Sequence, residues 1–344
     1  MKDNATIVVF AGAGASKAVA PDKYPTTIEF FNDLPDNITE KELFKQTVEF
    51  LKQDSGDGPI DIELLLWRLS ELKDFCSQFH DTSNLPGWIL SNNRLGKAIL
   101  RKHVSLGEAG KLLATCSREL DVLVSDINKR VYDLYGQLPE NSQLENTWDP
   151  LFNGLEGFGA KIEVVTSNYD MILESALDNN KVADIGWRGS IVRSLDTSLW
   201  DNTEDESSLG LLTKLHGSIN WTKNDEKIFV GDPTFKNDHD AHAIIYPGFK
   251  GRPVDATFLS FHNYFSKALS EADVAIFIGF AFRDEYINDI CERSVRGQTR
   301  IGILNPERNL DLPFLNTKVQ HWEKGFDKDS VREVLAFVRE TIEV

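Results

Sequence analysis

Short runs of apolar, β-branched residues alternate along the chain with longer segments whose apolar residues recur at helical spacing. The runs have the length and composition of strands that are buried on both faces of a parallel sheet. Glycine or polar residues follow each run directly, where a strand would lead into a helix. The runs that fit best are residues 7–11, 161–166, 211–215, 274–278 and 300–304. The pattern predicts an α/β fold built on a doubly wound parallel sheet.

A different pattern occupies the segment between the first two runs. From Thr39 to about Tyr135, apolar residues recur at helical spacing and no convincing strand is present. We therefore predict a single domain over residues 1–344 that carries a helical insertion at 39–150. One helix of this segment has more apolar residues than a single buried stripe requires, and these either complete the core or pack against another subunit. They are Leu64, Leu65, Trp67, Leu69 and Leu72.

The remaining segments give weaker signals. Residues 186–206 are irregular and polar, which predicts an exposed loop, and residues 222–242 are charged and rich in turn residues. A short strand is predicted at 244–246, a last strand at 319–322 and a terminal helix at 330–342.

Composition and charge narrow the class of protein. With 41% hydrophobic and 26% charged residues, the 344-residue chain has the composition of a globular protein. Its net charge of -17 argues against binding to nucleic acid or to an anionic membrane. The amino terminus has no signal-peptide pattern, and no apolar run approaches the roughly 20 residues of a membrane helix. We therefore expect a cytoplasmic protein.

The first strand runs into Gly12-Ala13-Gly14-Ala15-Ser16. Two glycines would let the backbone turn sharply and approach a ligand, with their amides pointing outward at the start of a helix that Ser16 would open. Such a site binds phosphate. The third glycine of the usual dinucleotide fingerprint would fall at Lys17, so the loop alone is equally typical of a tight strand-to-helix turn.

Four later strands also end in marked residues. The segments are Thr166-Ser-Asn-Tyr-Asp170, Lys214-Leu-His-Gly-Ser218, Gly279-Phe-Ala-Phe282 and Leu304-Asn-Pro-Glu307. Ligands of open α/β sheets bind at the carboxyl ends of strands, which favours a site there. Taken singly, Asn168 and Asp170 could be helix caps and His216 a structural hydrogen-bonding residue.

Together with the glycine loop, these segments resemble, in order and position, the sirtuin-like NAD-binding domains. They are more similar to the prokaryotic Sir2-like branch that is associated with antiphage defence. The resemblance spans about residues 7–307 and leaves the helical insertion outside it. It implies a Rossmann-like, doubly wound parallel sheet with a helical insertion, and NAD as the substrate.

The resemblance also implies which residues hold the phosphates and the adenosine of NAD. Gly12, Gly14 and Ser16 would cradle the pyrophosphate, Gly279 would continue that cradle, and Asn305 would face the adenosine ribose. The other residues expected to line the cofactor site lie next to these: Ala11, Ala13, Ser167 and Phe280.

The reacting end of NAD would lie near three residues. The resemblance implies that Asn168 and His216 form the catalytic pair at the nicotinamide ribose and that Asp170 orients the nicotinamide. Cleavage of the ribose–nicotinamide bond builds positive charge on the sugar, so a polar group that orders sugar and water and a base near neutral pH suit the reaction. Histidine and asparagine supply both without a metal.

Deacylating sirtuins additionally carry a four-cysteine zinc module. Cys76, Cys116 and Cys291 are too few and too scattered to build it, so no metal is expected. Water then becomes the favoured acceptor, which predicts an NAD hydrolase that releases nicotinamide and ADP-ribose. The alternatives are an NAD or ADP-ribose sensor without turnover and an NAD-dependent protein deacylase.

Control is expected to come from outside the motifs. In the family that the chain resembles, NAD depletion in antiphage defence is held in check and released by a partner or by infection. We therefore expect a homo-oligomer, or a complex with a separately encoded HerA-type ATPase or another defence protein.

Three further groups have two interpretations each. Residues 237–242 could hold a metal, although a solvated loop is favoured. Arg283-Asp284-Glu285 could form a switch or an interface, but charge at a helix start is the default. The aromatic pairs Phe30-Phe31 and Phe280-Phe282 are expected in the core rather than stacked on a cofactor.

Overall fold

The structure of the chain is a computed structural model. It describes residues 5–55, 59–78, 106–189, 193–201, 209–224, 227–231, 241–244, 255–314 and 317–343. The chain divides into two compact units, Met1–Thr26 with Tyr132–Val344, and Thr27–Val131. The second unit overlaps the helical insertion expected at 39–150, and the single-domain assignment with that insertion stays a prediction.

The strands are β1 (Thr6–Ala11), β2 (Lys161–Thr166), β3 (Ala183–Asp184), β4 (Trp187–Arg188), β5 (Ser194–Leu195), β6 (Gly210–Lys214), β7 (Gly217–Asn224), β8 (Lys227–Val230), β9 (Ala241–Ile244), β10 (Val274–Ile278), β11 (Arg300–Leu304) and β12 (Val319–Trp322). The helices are α1 (Ala13–Val19), α2 (Thr27–Asn32), α3 (Asp36–Thr39), α4 (Glu42–Ser55), α5 (Ile62–Gln78), α6 (Leu106–Tyr135), α7 (Asn141–Leu144), α8 (Trp148–Glu156), α9 (Ile172–Asn180), α10 (Ser198–Asp201), α11 (Ala256–Glu271), α12 (Glu285–Ser294) and α13 (Lys328–Ile342).

A seven-stranded parallel sheet forms the centre of the first unit, in the order β12-β11-β10-β1-β2-β6-β3. The order reverses beside β1, because later strands are added first on the β2 side and then on the β10 side. Such a switch point opens a crevice at the carboxyl ends of the strands. The Rossmann-like, doubly wound parallel sheet predicted from the sequence is confirmed.

The sheet is held by apolar residues on both faces. Every residue of β10 is buried, and Phe10 on the adjacent β1 lies 4.7 Å from Phe280 and 5.4 Å from Phe265, measured between ring centroids. Phe280 and Phe282 are both buried, which confirms the expectation that this aromatic pair belongs to the core. Because the core extends to the end of β10, the loops that follow β1 and β10 rest on a rigid base.

A second, antiparallel sheet in the order β4-β5-β8-β7-β9 was not expected from the sequence. Two short strands, β4 and β5, lie in the segment interpreted as an exposed loop at 186–206, and β8 with parts of β7 and β9 lies in the segment interpreted as charged turns at 222–242. Trp221 and Ile228 point into the core, and Trp200 of α10 is buried with its indole nitrogen 2.9 Å from Thr213 Oγ1. At the strand positions the interpretation was wrong, because charged neighbours such as Lys223 and Lys227 obscure the apolar residues that point inward.

The second unit is helical in its described part. Helices α2 to α5 and most of α6 bury an apolar core that includes Phe30, Leu51 and Leu65. Lys73 of α5 pairs with Asp121 of α6 at 2.7 Å. Of the apolar residues noted on α5, Leu65 and Leu69 are buried, Leu64 and Trp67 are half-buried and Leu72 is exposed.

Candidate functional site

The loops after β1 and β10 are joined through their backbones. The amide of Gly12 donates to the carbonyl of Ile278, and the amide of Gly14 donates to the carbonyl of Gly279, both at 2.9 Å. A Cβ atom on Gly12 would lie 2.6 Å from Gly279 O, and one on Gly279, whose φ is +62°, would lie 2.2 Å from Ala15 N. Helix α1 also begins at Ala13 rather than at Ser16. The expectation that the Gly12 and Gly14 amides point outward to a ligand is therefore wrong, since they hold the two loops together.

Four of the predicted site residues form one hydrogen-bonded network at the ends of β1 and β2, three through side chains and Gly12 through its carbonyl. The Asn168 side-chain amide donates to Gly12 O and to Ser16 Oγ, both at 2.8 Å. Ser16 Oγ in turn donates to Asp170 Oδ2 at 2.6 Å. Thr166 Oγ1 supports the turn by accepting a hydrogen bond from the backbone amide of Asn168 at 2.9 Å. The network fixes the orientation of Asn168 before any ligand binds.

A buried lysine lies beneath this network. Lys214, at the end of β6, donates through Nζ to the backbone carbonyl of Asp170, to Glu174 Oε1 at 2.8 Å and to Ser218 Oγ at 2.9 Å. Ser218 Oγ also contacts the carbonyl of Tyr169 at 3.2 Å. Lys214 therefore connects the turn after β2 to the turn after β6, where His216 lies.

His216 faces a carboxylate that comes from another part of the chain. Its Nε2 lies 3.3 Å from Oδ2 of Asp284, and the two side chains are 6% and 14% exposed. Burial raises the pKa of Asp284, but the hydrogen bond and the charge of His216 outweigh it, so this pKa lies below its ordinary value. The carboxylate is thus held ionised beside the imidazole.

A second histidine borders the pair. The ring centroid of His262 lies 6.4 Å from that of His216, and its Nδ1 lies 2.8 Å from the carbonyl of Phe258. Burial lowers the pKa of His262 to about 4, so this ring is neutral near pH 7. Of the two rings, His216 is the one paired with a carboxylate.

Asn305 has a different environment from the catalytic candidates. Its side-chain amide donates to Phe280 O at 2.8 Å, and its side-chain oxygen accepts from the amide of Glu307 at 2.9 Å. Both bonds shape the loop after β11, and Asn305 is buried. The side chain therefore anchors the loops that follow β10 and β11.

Comparisons with known proteins give a family for part of the chain. Residues 162–309 match the family model described as SIR2-like domain. The chain contains a SIR2-like domain. No curated protein matches the sequence.

Solved structures similar to the chain include a Sir2 homologue in complex with NAD, at 12% identity and a TM-score of 0.42 over 97% of this chain and 89% of that one. A Sir2 homologue variant in complex with ADP-ribose has 12% identity and a TM-score of 0.43 over 98% and 93%. Sir2Tm bound to a propionylated peptide has 13% identity and a TM-score of 0.37 over 97% and 93%.

The match to the SIR2-like domain includes Asn168, His216, Gly279 and Asn305, whereas the glycine loop precedes it. Within the described residues, no group of three or more His, Cys, Asp or Glu side chains could hold a metal ion. The possible metal ligands at 237–242 lie largely outside that part, and only the backbone of residues 241 and 242 is described, in β9. No helix among the described residues is long and apolar enough to cross a membrane.

Two residues next to the candidate site were missed from the sequence. Lys214 was visible as the single charge of its predicted strand, and Asp284 was interpreted by default as helix-start charge, with a switch or an interface as the alternative. Asp284 is indeed the N-cap of α12, with Oδ1 accepting from the Ile287 amide at 2.9 Å. Its second oxygen contacts His216, and sequence order could not show that because 68 positions separate the two residues.

Proposed function

We propose that the chain hydrolyses NAD to nicotinamide and ADP-ribose. The observation that carries the proposal is the hydrogen-bonded network of Ser16, Asn168 and Asp170 at the carboxyl ends of β1 and β2, with His216 following the neighbouring strand β6. The crevice beside β1 is where open α/β sheets bind nucleotides. Both candidate catalytic side chains are held by structure that does not depend on a ligand.

The proposed reaction assigns a role to each residue. The bond between C1′ of the ribose and the nicotinamide nitrogen breaks, and nicotinamide leaves with the bonding electrons. Asn168, with its amide oriented by Gly12 and Ser16, orders the ribose and the attacking water. The water oxygen bonds to C1′ and its proton passes to His216, which acts as the general base. Asp170 orients the nicotinamide end.

Water is the proposed acceptor rather than an acylated peptide. The three cysteines cannot supply the four thiolates of a sirtuin zinc module. Loss of NAD to water is also the chemistry expected of the antiphage branch that the motifs resemble. On that resemblance we propose a cytoplasmic role in antiphage defence, in which NAD depletion stops an infected cell.

Such an enzyme would need restraint, and we propose that assembly provides it. The second unit exposes several large apolar side chains, namely Phe50, Leu72, Phe75 and Val122. Exposed apolar residues mark contact surfaces where they form a contiguous patch. We propose a homo-oligomer, or a complex with a separately encoded HerA-type ATPase, in which this unit contributes contacts and changes NAD turnover.

The test of the hydrolase is nicotinamide release from NAD by the purified chain, compared with Asn168→Ala and His216→Ala. We expect both variants to lose at least about 10²-fold in kcat, the usual contribution of a general acid–base group, with folding retained in thermal melts. Asn153→Ala, which changes an exposed asparagine of α8, is the matched control and should keep full activity.

The same experiment separates the rival functions. NAD binding by calorimetry without nicotinamide release would indicate a sensor. Consumption of an acetyl-lysine peptide, together with one zinc per chain in metal analysis, would indicate a deacylase. Retained turnover in both alanine variants would remove Asn168 and His216 from the mechanism.

A further inference from the structure

Asp284 both caps α12 and contacts His216. We infer that Asp284 is a positioning residue for His216, which fixes the imidazole by one carboxylate oxygen while the other caps α12. The inference rests on the proposed function for its catalytic consequence. The two contacts of Asp284 do not depend on that function.

Both oxygens of the Asp284 carboxylate have a partner. Oδ1 accepts from the Ile287 amide at 2.9 Å, and this leaves Oδ2 directed at His216 Nε2 at 3.3 Å. The Asp284 side chain therefore has little rotational freedom, because turning it would break the cap. Both partners are largely buried, which strengthens an electrostatic contact relative to one in water.

The backbone before Asp284 is held in an unusual conformation. Phe282 has a φ of 54°, in the left-handed region that non-glycine residues rarely adopt. Its carbonyl accepts from the Asn288 side chain of α12 at 2.7 Å, and its ring packs 4.8 Å from that of Phe280. Strained backbone of this kind persists where surrounding contacts impose it and occurs often at functional sites. Asp284, two residues later, contacts His216.

The contact selects a protonation state of the imidazole. A carboxylate accepts hydrogen bonds, so the neutral ring carries its proton on Nε2 and leaves Nδ1 unprotonated and able to take one. When His216 accepts the proton from water, the adjacent negative charge of Asp284 stabilises the resulting imidazolium. Asp284 thus favours both the tautomer that acts as a base and its charged product.

The other titratable groups around the pair do not replace Asp284. His262 is neutral near pH 7, and Tyr286 lies against it with ring centroids 5.1 Å apart. Burial raises the pKa of the Cys291 thiol, and the charge of Asp284 adds to that effect, so Cys291 is also neutral. Among these neighbours, Asp284 supplies the negative charge.

If Asp284 only capped α12, its replacement by serine would leave catalysis unchanged, so this substitution separates capping from the positioning of His216. Ser caps helices about as well as Asp, but its hydroxyl lies closer to the backbone and cannot also reach His216. The test therefore compares Asp284→Ser and Asp284→Asn with Asp327→Ser, the matched control. Asp327 is the N-cap of α13, where its carboxylate accepts from Ser330 N at 2.9 Å.

We expect Asp284→Ser to melt close to Asp327→Ser, to lower kcat by roughly 10²-fold and to leave KM nearly unchanged. The acidic limb of its pH–rate profile should move to lower pH, because the imidazolium has lost its anionic neighbour. Asp284→Asn should be no better than serine, because an amide group that turns its oxygen to cap α12 presents N–H groups to Nε2. Wild-type kcat and an unshifted profile in Asp284→Ser would leave only the capping role.

A readout independent of turnover keeps this inference separate from the proposed function. The imidazole signals of His216, assigned by their loss in His216→Ala, can be followed by NMR as the pH is changed. Their titration midpoint should fall in Asp284→Ser and stay unchanged in Asp327→Ser. If the wild type releases no nicotinamide, the proposed hydrolase fails while this titration still decides the contact. An unmoved midpoint would overturn the positioning role.

Discussion

Replacement of Lys214 by methionine should destabilise the first unit strongly. Lys214 is 1% exposed and its partner Glu174 is 13% exposed, with Nζ and Oε1 2.8 Å apart. Methionine retains the apolar stem but leaves the Glu174 carboxylate buried beside no cation. Loss of one partner of a buried ion pair typically costs about 3–5 kcal/mol.

That loss is a large share of the total stability of a typical domain, about 5–15 kcal/mol. For a domain of about 150–250 residues, it corresponds to a fall in melting temperature of roughly 6–20 °C. The backbone carbonyl of Asp170 and Ser218 Oγ also lose a donor, so the turns that carry Asn168 and His216 should loosen.

The measurement is urea unfolding of the wild type, Lys214→Met and the double variant Lys214→Met with Glu174→Leu, with the slopes compared as well as the midpoints. The double variant should regain most of the lost stability, because no uncompensated charge remains. Lys324→Met is the control: it breaks an exposed pair of similar length, 2.6 Å to Glu333, and should leave the midpoint near that of the wild type. If Lys214→Met unfolds like this control, the buried pair does not stabilise the two turns as we describe.

Two further predictions concern the glycine contact and the assembly. Gly279→Ala should lower the free energy of unfolding by about 2–5 kcal/mol in a denaturant titration, because alanine disfavours the left-handed φ and its Cβ would overlap Ala15 N. Gly297→Ala is the control and should behave as the wild type, because its added Cβ meets nothing within 4 Å. Equal unfolding midpoints for the two variants would refute the close approach at Gly279. Light scattering should show a homo-oligomer or a partner-dependent complex whose formation changes nicotinamide release. Replacement of Phe75 by serine should weaken that assembly. A monomer whose NAD turnover does not change with the HerA-type partner would count against control by assembly.

The sequence predicts the parallel sheet well because burial on both faces requires continuous apolar runs, and those of β1 and β10 are unmistakable. It predicts the second sheet poorly, because Trp221 and Ile228 stand among charged residues whose outward direction only tertiary packing reveals. The burial of Phe280 and Phe282 was also expected, because large aromatic residues beside a buried strand are usually part of the core.

The candidate site divides in the same way. The positions of Asn168 and His216 at strand ends followed from local order, and the motifs resembled a known family. Neighbouring residues in the sequence could not show which groups each residue hydrogen-bonds. The amides of Gly12 and Gly14 donate to carbonyls at the end of β10 and in the loop after it. Asp284, at a helix start far along the chain, contacts His216. Long-range hydrogen bonds of this kind depend on the fold being complete.

The central place of β1 has a consequence for synthesis of the protein. This strand is made before both of its neighbours in the sheet, β2 and β10, and the amide of Thr6 donates to the carboxylate of Asp273, 267 positions later. At roughly 5–20 residues per second, a ribosome needs on the order of ten seconds or more to deliver both neighbours. During that time the apolar β1 segment has unpaired edges and invites aggregation. A chaperone bound to the nascent β1 segment should therefore raise the soluble yield.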